Sequence, residues 1–182
     1  MDKLPEGGAG IKRKAFTEEQ IKERVLEIGR QITEDYKGED LVVIGVIKGA
    51  LYFMADLTRA IDLPVTVDLI GFGNIPGTTS KTGVVRITKD IDTDITDKHV
   101  LIVEDVIRTG LTTAYLISNI ESKKPKDISV CTMLINRDRM LLPLPVKYYG
   151  FEVDDSWLIG YGLDLKEKGR NIPFIGELSG KE

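Results

Sequence analysis

The stretch His99-Val100-Leu101-Ile102-Val103-Glu104-Asp105-Val106-Ile107-Arg108-Thr109-Gly110-Leu111-Thr112-Thr113 decides how this chain is read. Val100 to Val103 is apolar without alternation, the pattern of a strand buried on both faces of a parallel sheet. Two adjacent carboxylates follow, Glu104 and Asp105, then a small-residue turn that opens a helix running from Leu111 to Ile120. In open α/β sheets, ligands bind beyond the carboxyl ends of the strands. A helix N-terminus placed there offers unpaired backbone N–H groups to a phosphate. Gly110 lets the backbone approach closely, Thr109 and Thr112 add hydroxyl donors, and the two acids can accept hydrogen bonds from a sugar. The same residues also describe a plain βα turn with a capping threonine and two solvated acids. Spacing alone leaves both readings open.

Outward from this segment the alternation repeats. Thr17-Glu18-Glu19-Gln20 has the form of a capping box, and Ile21, Val25, Ile28, Ile32 and Tyr36 follow at helical spacing until Lys37-Gly38-Glu39-Asp40. Leu41 to Val46 is a second continuous apolar strand. A helix over Ala50 to Ala60, a strand over Pro64 to Ile70, a glycine-rich loop from Gly71 to Lys81 and a strand over Val84 to Thr88 come next. Past the central segment, strands are expected over Ile128 to Leu134, near Val146 to Tyr149, and over Trp157 to Ile159. Residues 1–16 show no period and are expected to be a loose lead-in, with one domain over 17–182. Strand alternating with helix predicts an α/β fold, a mainly parallel sheet covered on both faces.

Composition narrows the chemistry. The chain has 182 residues, 42% of them hydrophobic and 30% charged, with a formal net charge of −4. That excludes a disordered chain and disfavours a nonspecific nucleic-acid binder. One cysteine, Cys131, and one histidine, His99, allow neither an internal disulfide nor a zinc cluster, so any metal must be a hard, oxygen-bound cation such as magnesium. No apolar run is long enough to span a membrane and no signal-peptide pattern opens the chain, so a cytoplasmic protein is expected. Asp90, Asp92, Asp94 and Asp97 begin like a calcium loop, but Ile95 replaces the turn glycine and Leu101 the closing Glu. They read as a solvated connection.

The central segment resembles the phosphoribosyl pyrophosphate (PRPP) signature of type I phosphoribosyltransferases, and the chain is similar to the hypoxanthine-guanine members of that family from about Thr17 to Ile175. The blocks Gly45 to Ala50, Phe53 to Leu57, Gly150-Phe151-Glu152, Gly160 to Asp164 and Arg170 to Ile175 carry the resemblance. It implies the type I phosphoribosyltransferase fold, with a twisted sheet, a small hood from the N- and C-terminal segments and a flexible lid over about 71–82. It also implies purine salvage: transfer of phosphoribosyl from PRPP to a 6-oxopurine, giving IMP or GMP and pyrophosphate, with Mg2+ as cofactor and a homodimer or homotetramer as the assembly.

By resemblance, Glu104 and Asp105 hold the ribose hydroxyls, and Thr109, Gly110, Leu111 and Thr112 wrap the 5′-phosphate. Lys48-Gly49 lies under the pyrophosphate and Arg170 binds it, while Asp164, with Glu104 and Asp105, reaches the metal. Trp157 stacks on the purine and Leu158 presents backbone groups to its edge. Considered alone, Trp157 fits ordinary core packing as well. Three departures fall on chemistry. Arg108 stands where the family places an Asp base, and a guanidinium has no lone pair to accept a proton. Asn136 stands where a Lys donates to the 6-oxo group; a shift in register would bring Arg137 or Arg139 there instead. Asn74-Ile75 stands where the lid carries a Ser-Tyr pair. Reduced or redirected activity is therefore expected, with a non-catalytic PRPP or nucleotide sensor as the alternative.

Overall fold

A computed structural model describes residues 10–74 and 85–179. The elements in chain order are β1 (Ile11–Phe16), α1 (Glu18–Asp35), β2 (Leu41–Ile47), α2 (Leu51–Ala60), β3 (Thr66–Asn74), β4 (Val85–Lys89), β5 (His99–Ile107), α3 (Leu111–Glu121), β6 (Asp127–Ile135), β7 (Val146–Glu152), β8 (Leu158–Ile159) and β9 (Ile175–Leu178). A six-stranded sheet runs β4-β3-β2-β5-β6-β7, parallel throughout except for the β3–β4 hairpin. A separate antiparallel sheet runs β1-β9-β8.

The expected covering of both faces is present. Leu41 and Val43 on β2, with Leu101 and Val103 on β5, pack with α1 and α2, whereas Val42, Ile44, Val100 and Ile102 pack with Leu116, Ile117 and Ile120 of α3. Alternate side chains thus enter two separate cores, which is why these strands have no polar face. The α1 capping box forms as read: Gln20 N–H donates to Thr17 Oγ1 at 3.3 Å and Thr17 N–H to Gln20 Oε1 at 2.9 Å. Chain order reverses at β2, which pairs with β3 on one side and β5 on the other. The crevice beyond the carboxyl ends of β2 and β5 is therefore the topological switch point, where ligands of such sheets bind.

Two expectations about organisation are corrected. Residues 11–16 are not loose but form β1, paired with β9; Glu177 meets Arg13 at 2.6 Å and Lys12 at 3.1 Å. The partner strand lies at the other end of the chain, so no local period could show the pairing. The glycine-rich stretch does not begin as a loop either, since Gly71 to Asn74 continue β3 against β4. A Cβ on Gly73 would come within 2.6 Å of the Thr88 methyl, so glycine serves the close strand approach there. Of the expected lid pair, Asn74 ends β3, and Ile75 lies outside the described residues. No helix among the described residues is long and apolar enough to cross a membrane.

Candidate active site

Strand β5 runs further than its apolar core, so Glu104 and Asp105 sit within it and not after it. Alternation then sends them to opposite faces. Glu104 is buried, with Thr113 Oγ1 of α3 donating to its Oε1 at 3.0 Å. Burial, aided by the Asp105 charge, pushes its carboxyl up to about 8, so it is largely protonated at neutral pH. Asp105 faces the β2 side. A Cβ on Gly49 would stand 1.8 Å from Asp105 Oδ2, so the carboxylate rests directly on the glycine backbone. Burial raises this carboxyl too, opposed by the Val106 N–H and by Arg170, while Asp164 adds to the rise.

The loop after β2 carries a cis Ile47–Lys48 peptide bond. Gly162, at φ +102°, packs over it so tightly that a Cβ there would meet the Gly49 carbonyl at 1.9 Å. Only glycine satisfies both the close approach and the left-handed backbone. Arg170 Nη1 donates to the Gly162 carbonyl at 2.8 Å, and its Nη2 pairs with Asp164 Oδ1 at 2.7 Å. Arg170 Nε is buried without a partner among the described residues. Glu167 had no part in the sequence reading, yet it joins Lys48 Nζ at 2.8 Å to Arg170 at 3.4 Å. Its available signal was the charge-dense turn Asp164 to Arg170. Lys48, Gly49, Asp105, Asp164 and Arg170 thus come together.

The Thr109 to Thr112 turn opens α3 beside this cluster. Gly110, at φ +80°, is the N-cap and supplies no side-chain acceptor. The Leu111 N–H makes only a long 3.5 Å contact to Thr109 Oγ1, and Thr109, Leu111 and Thr112 are exposed. The alternative of a threonine-capped turn is not what forms: an uncapped helix end faces the crevice, suited to an anion.

The other wall is different. Trp157 is 47% exposed, so its indole is presented and not packed into the core. With Arg108, Thr109, Arg139 and Asp155 it lines a cavity of about 520 Å³. Arg108 Nη2 donates to the Ser156 carbonyl at 3.2 Å. Asn136 is buried and committed at both ends: Nδ2 donates to Asp155 Oδ1 at 3.1 Å, and Oδ1 accepts from Arg139 N–H at 3.2 Å. It lines the adjoining cavity of about 850 Å³ but not the arginine-walled one. Arg137 pairs with Glu152 at 2.7 Å and lies 4.9 Å from the Tyr149 ring centroid, so Arg139, not Arg137, reaches this wall. Leu158 lies on β8, in register with Glu177, and the Trp157 carbonyl accepts from Leu178 N–H at 2.9 Å.

The phosphoribosyl transferase domain family matches residues 14–166. A hypoxanthine-guanine phosphoribosyltransferase of Dictyostelium discoideum is 42% identical, over 90% of this chain and 93% of that protein. One of Mycobacterium avium is 41% identical, over 92% and 86%. Among solved structures, a hypoxanthine-guanine phosphoribosyltransferase of Bacillus anthracis with HEPES in its active site superposes with a TM-score of 0.88 at 42% identity, covering 95% of this chain and all of that one. The Trypanosoma cruzi hypoxanthine phosphoribosyltransferase in complex with IMP gives 0.85 at 34% identity, covering 93% and 95%. A parallel sheet with its crevice at the switch point, an uncapped helix end and these relatives lead to one conclusion: the chain belongs to the phosphoribosyl transferase family, among the hypoxanthine-guanine phosphoribosyltransferases.

Proposed function

We propose that this protein transfers phosphoribosyl from PRPP to a 6-oxopurine, releasing pyrophosphate, with turnover of neutral 6-oxopurines reduced by Arg108. The observation that carries the reading is the convergence of Lys48, Gly49, Asp105, Asp164 and Arg170 beside the uncapped N-terminus of α3. In this reading the amides and hydroxyls of Thr109 to Thr112 hold the 5′-phosphate, and Lys48 and Arg170 hold the pyrophosphate. Both cations are now paired with Glu167, so PRPP would displace that carboxylate. Asp105 accepts from the ribose hydroxyls, and Glu104, behind it, fixes the start of α3 through Thr113. Trp157 supplies the stacking face for the base, and Leu158 its backbone edge.

The donor set fits Mg2+. No group of three or more His, Cys, Asp or Glu among the described residues builds a protein cage. Magnesium instead uses one or two carboxylates with substrate oxygens, here Asp105 and Asp164. Glu104, bonded to Thr113, would act behind them. When bound, the ion neutralises charge developing on the departing pyrophosphate. Asp105 and Asp164 orient it, and Arg170 offsets the remaining charge. The salvage role further implies a cytoplasmic homodimer or homotetramer, as the resemblance suggests.

Arg108 favours a second reading, a PRPP or nucleotide sensor, because a fixed cation without a proton-accepting atom suits an anion better than a base to be deprotonated. The test is calorimetry with PRPP, GMP and IMP in magnesium, paired with a pyrophosphate-release assay using hypoxanthine or guanine. Release supports the transferase. Binding without release selects the sensor.

A further inference from the structure

The wall around Trp157 carries a positive charge, Arg108, that no ion pair among the described residues neutralises. Asp155 is taken up: Arg139 Nε donates to both its oxygens, at 2.8 and 2.7 Å, and Asn136 adds a third bond. These contacts, with Arg108 further off, hold its carboxyl below the usual range. Arg108 is left with one neutral acceptor, the Ser156 carbonyl, and no ion pair among the described residues. Its guanidinium shares the cavity with an indole that is 47% exposed. An aromatic face beside an unmatched cation suits a flat ring that carries negative charge.

We propose that the base half of this site selects planar nitrogen heterocycles that have already lost their ring proton, with Arg108 as the specificity-determining cation. The proposal rests on the phosphoribosyl-transfer reading above and names its second substrate class. The chemistry balances without a general base. A lone pair on the ring nitrogen forms the bond to C1′ of PRPP, while the C1′–O bond breaks and its electron pair leaves with pyrophosphate. A neutral purine must also shed a proton, for which Arg108 offers no acceptor. An anionic heterocycle has none to shed, and the guanidinium stabilises it in the bound state. A residue that would obstruct a neutral base thus becomes the recognition element for an anionic one.

The test uses two nearly isosteric bases: hypoxanthine, and 8-azahypoxanthine, whose triazole ring loses its proton more readily. Their equilibrium affinities and kcat/KM with saturating PRPP and magnesium are measured in wild type and in Arg108→Gln, which keeps a polar side chain without the charge. Comparing the ratio of the two bases between wild type and variant cancels their intrinsic reactivity. Wild type should favour 8-azahypoxanthine over hypoxanthine by about tenfold more than Arg108→Gln does, the scale of one charge-assisted hydrogen bond. An unchanged ratio, or no binding of either base, overturns the proposal. If the preference appears in affinity but no pyrophosphate is released, the anion selectivity stands and the transfer reading fails. Calorimetry with PRPP alone separates that outcome from a misfolded or inactive preparation.

Discussion

On the proposed phosphate side of the crevice the wall is backbone and small residues; on the proposed base side it is side chains, three of which hold one another. Gly49 and Gly162 touch through their main chains, Asp105 rests on Gly49, and the α3 end presents amides. A carbon added to Gly162 collides with the Gly49 backbone, and one added to Gly49 collides with the Asp105 carboxylate. Opposite, Asn136, Arg139 and Asp155 form a network, with Arg108 beside it on the Ser156 carbonyl, that a single substitution can rewire without moving a strand. The proposed sugar-phosphate side is thus tied to the fold, whereas the proposed base side rests on exchangeable side chains.

The largest effect should come from Gly49→Ala. Its Cβ would sit 1.8 Å from Asp105 Oδ2, an overlap that only backbone or carboxylate displacement relieves. Overpacking of this kind costs about 1–3 kcal/mol, and the displaced group is the proposed ribose acceptor. PRPP affinity by calorimetry should fall by about a hundredfold, with the melting temperature lowered by several degrees. Affinity within a factor of about two of wild type would show that the phosphate side is not backbone-determined.

Arg108→Asp should act in the other direction. It introduces a proton acceptor near the base and should raise hypoxanthine transfer by about tenfold near neutral pH, where an Asp is ionised. PRPP affinity should weaken at the same time, because a positive charge beside the α3 N-terminus becomes negative. A loss of affinity with no gain in rate favours the sensor.

Thr112→Ala removes one exposed hydroxyl from the turn and should weaken nucleotide binding by about 1–2 kcal/mol. Unchanged affinity would remove Thr112 from the site.

The last effect is read in stability and not in binding, and it concerns Glu104. Its carboxyl is raised to about 8 in the folded protein from an ordinary value near 4.5. The folded state therefore holds this proton more tightly than the unfolded chain. The associated stability is complete below the ordinary value and is lost as pH rises toward and through about 8. Glu104→Gln keeps the neutral form at every pH. Its thermal midpoint should decline less than that of wild type between about pH 5 and pH 8. Parallel profiles would mean that Glu104 is ionised in the folded state.

Much of this was legible in the chain. The unbroken runs Leu41 to Val46 and Val100 to Val103 announced strands buried on both faces, and the Thr17–Gln20 box marked the start of α1. The phosphate turn could be read because Thr109-Gly110 directly follows a strand, so its neighbours in space are its neighbours in sequence. What escaped depends on distant partners. β1 is defined by β9, and Glu167 matters only because Lys48 lies opposite it. Asn136 looked like a free donor until Asp155 and Arg139 were seen to occupy it. The period of a strand is local information, but the satisfaction of a buried carboxamide is not.

In the proposed function, an intact sugar-phosphate half is joined to a base half without a proton acceptor. The rate of pyrophosphate release from PRPP and hypoxanthine, with magnesium and at saturating concentrations, tests it most directly. PRPP should bind while release stays well below about 1 s⁻¹. Release at an ordinary enzyme rate of about 1–10³ s⁻¹ would contradict it, because another group would then be removing the proton.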